Sequence, residues 1–360
     1  MKNENELSLL TAKLNGTLQG RSKSINEAIA QIERTGSMLD DFVVPMTNIA
    51  FDKPEDRVRL VFDEDAKFTL HQHAVSQIGD KLGVPPAYLR NLTFGEPWQK
   101  SLAVNIMQQH TDHTSRERVL IRTVDNEVRG FLSDKYRRLN SMEIFMAFLM
   151  AAQQYDNVLV DAHSGETKGF LEVINPNIIE FDTPVNGRNY AAFGARIRNS
   201  DFGDGALEVR TFMMNVKCMN GLVGQSMLKE FHLGGRIPEN IRISEDTYKK
   251  DTAAKAALVG DIMRQVYNPE NTAAMIAKIQ GASAKPVDLI KEVERLPKLG
   301  FTITEADAVS KVLMNGDPAD GVQGASSLWK LVNGMTAVAR EAQPERRREL
   351  ELIAGEMLVK

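Results

Sequence analysis

One stretch, residues 115–138 (SRERVLIRTVDNEVRGFLSDKYRR), constrains the fold of this chain more than any other. Two runs rich in β-branched, aromatic and other apolar residues flank Asp125 and Asn126. Both residues tolerate the positive φ that a two-residue hairpin turn requires, so the pattern predicts two antiparallel strands joined by a tight turn. The predicted cross-strand pairs are Val124 with Glu127, Arg122 with Arg129, Leu120 with Phe131 and Arg118 with Ser133.

The alternation of side chains along these strands predicts two different faces. The face suited to packing on a core carries Val119, Ile121, Thr123, Val128, Gly130 and Leu132. The other face carries Arg118, Leu120, Arg122, Arg129 and Phe131. Two arginines directly opposite each other repel unless an anion or a carboxylate lies between them, so the second face is expected to meet negative charge.

Basic side chains interleaved with apolar and aromatic ones are typical of proteins that hold a single nucleic-acid strand without reading its sequence. The predicted nucleic-acid-binding residues are Arg118, Arg122, Arg129, Phe131, Lys135, Arg137, Arg138, Arg196, Arg198 and Arg210. The alternative is that helices or a second sheet of the same protein cover the arginines and supply carboxylates, which would make the charges internal salt-bridge networks.

A second basic face is predicted on two strands farther along the chain, at residues 189–198 and 207–217. Arg196, Arg198, Glu208 and Arg210 share this face, opposite an apolar set that includes Phe193 and Val209. In the favoured register Glu208 lies near Arg196, so this face is partly neutralised by its own carboxylate.

Composition limits the class of protein. The chain has 360 residues, is 42% hydrophobic and 26% charged, and carries a net charge of −4, which argues against a basic coat covering the whole surface. A single cysteine excludes an internal disulfide framework and fits a reducing compartment. Since the sequence also lacks a signal-peptide pattern and an apolar run long enough to span a bilayer, we expect a cytoplasmic protein without a membrane partner.

The expected fold class is α+β, with a curved, mostly antiparallel sheet of hairpins backed by helices and a helical C-terminal part. The predicted regions are a helical N-terminal arm at residues 1–40, an α+β core domain with a basic-faced sheet at 41–243 and a helical region at 244–360. The arm is interpreted either as a docking segment of a homo-oligomer or as a helix that packs on its own domain.

Well-known catalytic motifs are missing from the sequence. It contains no GxxxxGK[ST], no GxGxxG after a strand, no HExxH and no GxSxG, and we predict no catalytic residue, no metal site and no cofactor. Histidines at metal-compatible spacing, which are His71, His73, His110 and His113, form no specific ligand pattern. The arginine run at residues 346–348 has glutamates around it, a pattern typical of a solvated helix face.

An enzyme remains a third hypothesis because Cys218 and His232 have the residue types of a thiol nucleophile and its base. The methionines beside Cys218 favour a small buried hydrophobic residue instead. Residues 234–236 (Gly-Gly-Arg) have the composition of a backbone anion nest, but a lone Gly-Gly pair is more typical of a turn.

Four segments together resemble a known family. They are VLIRTVDNEVRGFLSDKYRRLNSMEI, IRNSDFGDGALEVRTFMMNVKCMNGLVG, the HLGG that follows it, and WKLVNGMTAVARE. They resemble the phage/plasmid-like family, a domain of unknown function found in phage and plasmid genomes, over roughly residues 55–345. The resemblance implies a mobile-element origin, a host-cytoplasm location and a setting in DNA replication, recombination or protection, and it implies no catalytic residues.

The leading hypothesis is therefore a non-enzymatic nucleic-acid-binding protein of a phage or plasmid, with single-stranded DNA favoured as its partner. The alternative is a structural or interaction protein that forms a homo-oligomer and keeps its arginines in internal salt-bridge networks.

Overall fold

The computed structural model describes residues 2–63, 66–114, 117–185, 187–230, 232, 243–317 and 320–359. These residues form an α+β fold with antiparallel-rich open sheets and a helical C-terminal part, which confirms the predicted fold class. The strands form two six-stranded sheets where the sequence analysis expected one.

The helices and the strands of the described residues are numbered separately, each in chain order. The helices are α1 (Lys2–Ser37), α2 (Gln72–Leu82), α3 (Pro86–Thr93), α4 (Pro97–Asp112), α5 (Ser141–Gln153), α6 (Glu245–Val266), α7 (Pro269–Ala284), α8 (Leu289–Leu299), α9 (Ile303–Asn315), α10 (Leu328–Arg340) and α11 (Pro344–Val359). The strands are β1 (Leu39–Pro45), β2 (Ala50–Asp52), β3 (Arg59–Phe62), β4 (Ala66–Leu70), β5 (Arg118–Val124), β6 (Glu127–Ser133), β7 (Val158–Ser164), β8 (Gly169–Ile174), β9 (Ile179–Thr183), β10 (Gly187–Asn199), β11 (Leu207–Asn215) and β12 (Asn220–Glu230).

The first sheet has the strand order β1-β5-β6-β4-β3-β2 and is antiparallel except where β4 runs parallel to β6. Helices α2, α3 and α4 cover one face of it. The apolar residues Ala74, Ile78 and Leu82 recur at helical spacing and bury one side of α2, and Gly83 ends that helix with a left-handed φ of 69°.

The second sheet has the order β12-β11-β10-β8-β7, and β9 pairs with β10. Helices cover both of its faces. Ala195 and Ile197 of β10 face a core shared with α5 and α6, whereas Tyr190 and Ala192 face a core shared with Leu14 of α1. The C-terminal helix α11 packs against β12, where Gly355 meets the backbone of Val223.

Helix α1 is the predicted N-terminal arm. Leu14 is fully buried, and Ile25 and Ile32 pack with Phe145 and Phe148 of α5. The helix thus packs on its own chain, which is the second of the two interpretations of the arm. The division at residues 1–40, 41–243 and 244–360 stays a prediction.

The central hairpin is present as β5 and β6, with Asp125 at a positive φ of 56° and Val124 opposite Glu127. The predicted register fails farther from the turn, because a β-bulge between Arg122 and Thr123 leaves Arg129 as the extra residue of β6. Arg122 therefore lies opposite Gly130, and the predicted pairing of Arg122 with Arg129 is wrong.

The bulge also corrects the position of Phe131. It lies opposite Ile121, is 3% exposed and packs in the core under α2, α3 and α4, so it is absent from the basic face on which it was predicted. Its backbone N–H donates to Gln77 Oε1 at 2.7 Å, which ties β6 to α2. A bulge removes a hydrogen bond between the two strands. The favourable free energy of burying the large ring of Phe131 offsets that loss.

Candidate functional site

Arg122 is fully buried between the first sheet and the loop that joins β10 to β11. Its Nε donates to Asp41 Oδ1 at 2.7 Å, its Nη1 to the carbonyl oxygen of Asp201 at 2.7 Å and its Nη2 to Asn140 Oδ1 at 2.6 Å. Asp41 is the residue of β1 directly opposite Arg122. The negative charge expected beside this arginine thus comes from the protein itself.

Arg137 and Arg138 continue this internal network. Arg138 is 5% exposed; its Nη1 donates to Glu245 Oε1 at 2.6 Å, and its guanidinium lies over the ring of Tyr248. Arg137 forms a bidentate ion pair with Asp251, with distances of 2.9 and 2.6 Å. Glu245, in the first turn of α6, and Asp251, farther along it, hold this helix to the segment that follows the hairpin.

The other predicted residues of the hairpin lie partly exposed. Arg118 Nη2 donates to the carbonyl oxygen of Val43 at 2.9 Å. Arg129 Nε donates to Glu127 Oε2 at 3.0 Å. Lys135 also has an interaction partner. The segment at residues 118–138 does not form the continuous basic surface that its sequence predicts, because Arg122 of the hairpin and Arg138 after it are buried and paired with carboxylates inside the protein.

The second basic face is more compact than the first. Arg196 of β10 lies opposite Arg210 of β11, and Arg198 lies opposite Glu208. Glu208 was expected near Arg196, but its direct cross-strand neighbour is Arg198. Glu208 is 2% exposed and forms ion pairs with Arg198 at 2.9 Å and with Arg210 at 2.7 Å. On the other side of β10, Arg196 lies opposite Glu172 of β8 and forms an ion pair with it.

Helix α11 lies over this face and adds its own charged residues, which were expected to face solvent. Glu351 forms an ion pair with Arg196, and Asp161 of β7 forms ion pairs with Arg347 and Arg348. The side chains of Arg347 and Arg348 are only 16% and 11% exposed, so the expectation of a solvated face is wrong for them. The guanidinium of Arg348 lies over the ring of Phe170.

Between α11 and the sheet lies a cavity of about 140 Å³, which we name the α11 pocket. Strands β8, β10 and β11 form its floor, α11 its roof, and the loop at residues 204–206 one wall. Its charged lining consists of Lys168, Arg196, Arg198, Arg210 and Arg348 together with Asp204, Glu208, Glu345 and Glu349. The pocket thus contains Arg196, Arg198 and Arg210, three of the predicted binding residues.

Several guanidinium N–H groups of this pocket have no hydrogen-bond partner among the described residues. They are Nε of Arg196, Nε of Arg210, and Nε and Nη1 of Arg348. A buried donor without a partner costs about 1–3 kcal/mol, and more on a charged group. Donors of this kind, on residues that line a cavity, would be stabilised by an added acceptor and most strongly by an anion.

The electrostatics of the network agree with this. Burial and the neighbouring positive charges of Arg196 and Arg347 lower the pKa of Arg348. Burial opposes the charge of Arg196 as well, but the carboxylates of Glu172 and Glu351 outweigh it and raise the pKa of Arg196. Since a guanidinium keeps its proton in a protein, the unfavourable energy at Arg348 remains in the structure, and a bound anion would reduce it.

The Cys218 and His232 pair does not form a site. The two residues flank the ends of β12, whose 11 residues extend roughly 33–36 Å at about 3.3 Å per residue. Burial raises the pKa of Cys218 to about 11, which keeps the thiol protonated near neutral pH. His232 Nδ1 donates to the carbonyl oxygen of Arg137 at 3.0 Å, and its Nε2 lies 3.0 Å from Asn199 Oδ1. Burial lowers the pKa of His232.

Other sequence candidates have structural partners. His71, His73, His110 and His113 all hydrogen-bond within the protein, and no cluster of three or more metal-ligating side chains occurs in the described part of the chain. The Gly-Gly-Arg at 234–236 lies outside the described residues. Of the helices in the described ranges, none is long and apolar enough to cross a membrane.

Comparison of the chain with protein-family models, with curated proteins and with solved structures finds no match. The resemblance to the phage/plasmid-like family stays a prediction. Two of the segments that carry it contact each other in the fold: Tyr136 Oη donates to the carbonyl oxygen of Ser200 at 3.2 Å, and Asn199 Nδ2 donates to that of Leu139 at 2.6 Å. Their shared role here is to join the first sheet to the second.

Proposed function

We propose that this protein binds nucleic acid, with a single strand favoured, and that it holds phosphate in the α11 pocket instead of across the central hairpin. The observation that supports this is that Arg196, Arg210 and Arg348 line one cavity and each has at least one buried guanidinium N–H group without a partner among the described residues. Arginine matches the geometry of phosphate oxygens better than any other side chain.

The pocket also has an accessible entrance for a charged strand. The side chain of Arg198 is 47% exposed, whereas those of Arg196 and Arg348 are 7% and 11% exposed. A strand would meet Arg198 first and place a phosphate against the inner arginines. The proposal also includes a phage or plasmid origin, which is based on the resemblance, and a cytoplasmic location, which is based on the resemblance and the composition. A homo-oligomeric state is part of it as well.

The experiment is a salt titration of binding between the full chain and a labelled single-stranded oligonucleotide. Each phosphate contact contributes roughly −0.7 to the slope of log affinity against log salt for single strands. We expect Arg198→Gln to weaken binding and to make the slope shallower by about 0.7. Arg129→Gln, which changes a partly exposed arginine outside the pocket, is the matched control and should leave the slope unchanged.

A second candidate function rests on a different observation. Arg122, Arg138 and Arg196 all have carboxylate partners within the chain, as expected of a structural or interaction protein with internal salt-bridge networks. If the unmodified protein shows no oligonucleotide binding at low salt, nucleic-acid binding is refuted and this second candidate takes its place.

A further inference from the structure

We propose that the α11 pocket accepts a phosphomonoester, either the terminal phosphate of a strand or the phosphate of a free nucleotide, in preference to an internal phosphodiester. This inference rests on the proposed function of the pocket and names its ligand more narrowly. Three features of the pocket support it: the depth of its donors, their number and the carboxylates beside them.

The donors lie deep in the pocket. Arg196, Arg348 and Arg210 have side chains that are only 7%, 11% and 15% exposed. Sheet, helix and the loop at 204–206 bound the cavity on three sides. A phosphate within a strand continues into a sugar on both sides and needs an open groove, whereas a terminal phosphate needs an opening on one side only.

The number of donors also favours a monoester. A phosphomonoester carries about −1.5 to −2 near pH 7, and it offers three terminal oxygens, whereas a diester carries −1 and offers two. The arginines that line the α11 pocket have four buried nitrogens without partners among the described residues, namely Nε of Arg196, Nε of Arg210, and Nε and Nη1 of Arg348. More charge on the ligand repays more of the desolvation of these buried guanidinium groups.

The carboxylates of the lining select against a bare anion. Glu208 Oε1 lies 2.7 Å from Arg210 Nη2 as an ion pair, yet it accepts no hydrogen bond of good geometry from the residues that the structure describes. A ligand that fits both sides of the pocket carries a phosphate for the arginines and an N–H or O–H donor for this carboxylate. The terminal nucleotide of a strand provides both, the donor coming from its base.

The test compares one single-stranded DNA oligonucleotide in 5′-phosphorylated, 3′-phosphorylated and unphosphorylated forms, using fluorescence anisotropy with the full chain at constant salt. We expect a phosphorylated end to bind at least about tenfold more tightly, because one charge-assisted contact has roughly that effect on affinity. Arg348→Met should abolish this preference. The matched control is Arg295→Met on α8, since Arg295 pairs with Glu292 of the same helix at 2.9 Å and neither residue lines the pocket.

The outcomes separate this inference from the proposed function. Equal binding of all three forms, with Arg348→Met weakening each of them alike, refutes the phosphomonoester preference and leaves strand binding intact. Binding of none of the forms refutes both. Thymidine 5′-monophosphate serves as a competitor: if it binds as tightly as the phosphorylated strand and loses affinity in Arg348→Met, the phosphomonoester site is supported with a free nucleotide as its source, and the strand-binding function is refuted.

Discussion

Replacing Arg122 by methionine should strongly destabilise the protein. Methionine keeps much of the side-chain volume but removes every donor of the guanidinium. The Asp41 carboxylate would then retain only Arg138, 3.5 Å away, while the carbonyl oxygen of Asp201 and Asn140 Oδ1 would lose their donors. The change thus leaves one poorly compensated carboxylate and two acceptors without partners at the junction of the two sheets.

The magnitude follows from the burial of the pair. Arg122 is 0% exposed and Asp41 is 21% exposed. Removing one partner of a buried pair costs about 3–5 kcal/mol. Because Asp41 keeps some solvent and one other arginine, we expect a cost of about 3 kcal/mol, at the lower end of that range.

The assay is chemical denaturation of the full chain followed by circular dichroism, with Arg129→Met as the control from the same hairpin. The ion pair of Arg129 with Glu127 is partly exposed, with side chains 18% and 34% accessible, and its loss should cost less than about 1 kcal/mol. Similar midpoints for the two variants would show that the buried network contributes no more than a surface pair. A double variant, Arg122→Met with Asp41→Leu, should regain part of the stability because no unpaired carboxylate remains.

Three further substitutions concern the helices α6, α9 and α11. The hydrogen bond from Arg346 lowers the pKa of Glu305 to about 2. The stability that its charge provides is therefore present above about pH 4.5 and is lost as the pH falls towards 2. The Glu305→Gln variant should unfold more easily than the unmodified protein at pH 7, and a difference that persists at pH 2 in thermal melts would contradict this. A Cβ on Gly355 would collide with the carbonyl oxygen of Val223, so Gly355→Ala should cost about 1–3 kcal/mol in thermal or chemical unfolding. Gly260→Ala, in open space on α6, should stabilise by about 0.4–1 kcal/mol, and equal effects of the two changes would argue against tight packing of α11 on β12.

Local sequence was sufficient to predict the hairpin, because its turn and its alternation are encoded in neighbouring residues. The bulge was not predictable in this way. It is favoured by the fit of Phe131 beside Ile121 under α2, α3 and α4, a long-range packing effect. Gly130 next to Arg129 was the available signal, since glycine inside a strand often accompanies a bulge or a close backbone approach.

The candidate site was predictable in part for the same physical reason. Alternation along β10 and β11 was enough to place Arg196, Arg198 and Arg210 on one face. Arg348 was missed because a run of arginines with flanking glutamates is typical of a solvated helix, and only tertiary packing shows that α11 buries this side chain. Its acidic partner, Asp161 of β7, lies far away in the sequence.

Arg122 and Arg348 differ in how many of their guanidinium nitrogens have acceptors. At Arg122 each guanidinium nitrogen has an acceptor, so an added anion would have to displace a protein group there. In the α11 pocket, the side chain of Arg348 is only 11% exposed, yet two of its nitrogens have no partner within the described part of the chain. A guanidinium whose nitrogens all have acceptors stabilises the fold, whereas one with unpartnered nitrogens beside a cavity gains energy from a ligand. Substitution of Arg122 should therefore lower stability whether or not phosphate is present. Substitution of Arg348 should remove the extra stability that a bound phosphomonoester provides, which a thermal melt with and without the ligand would measure.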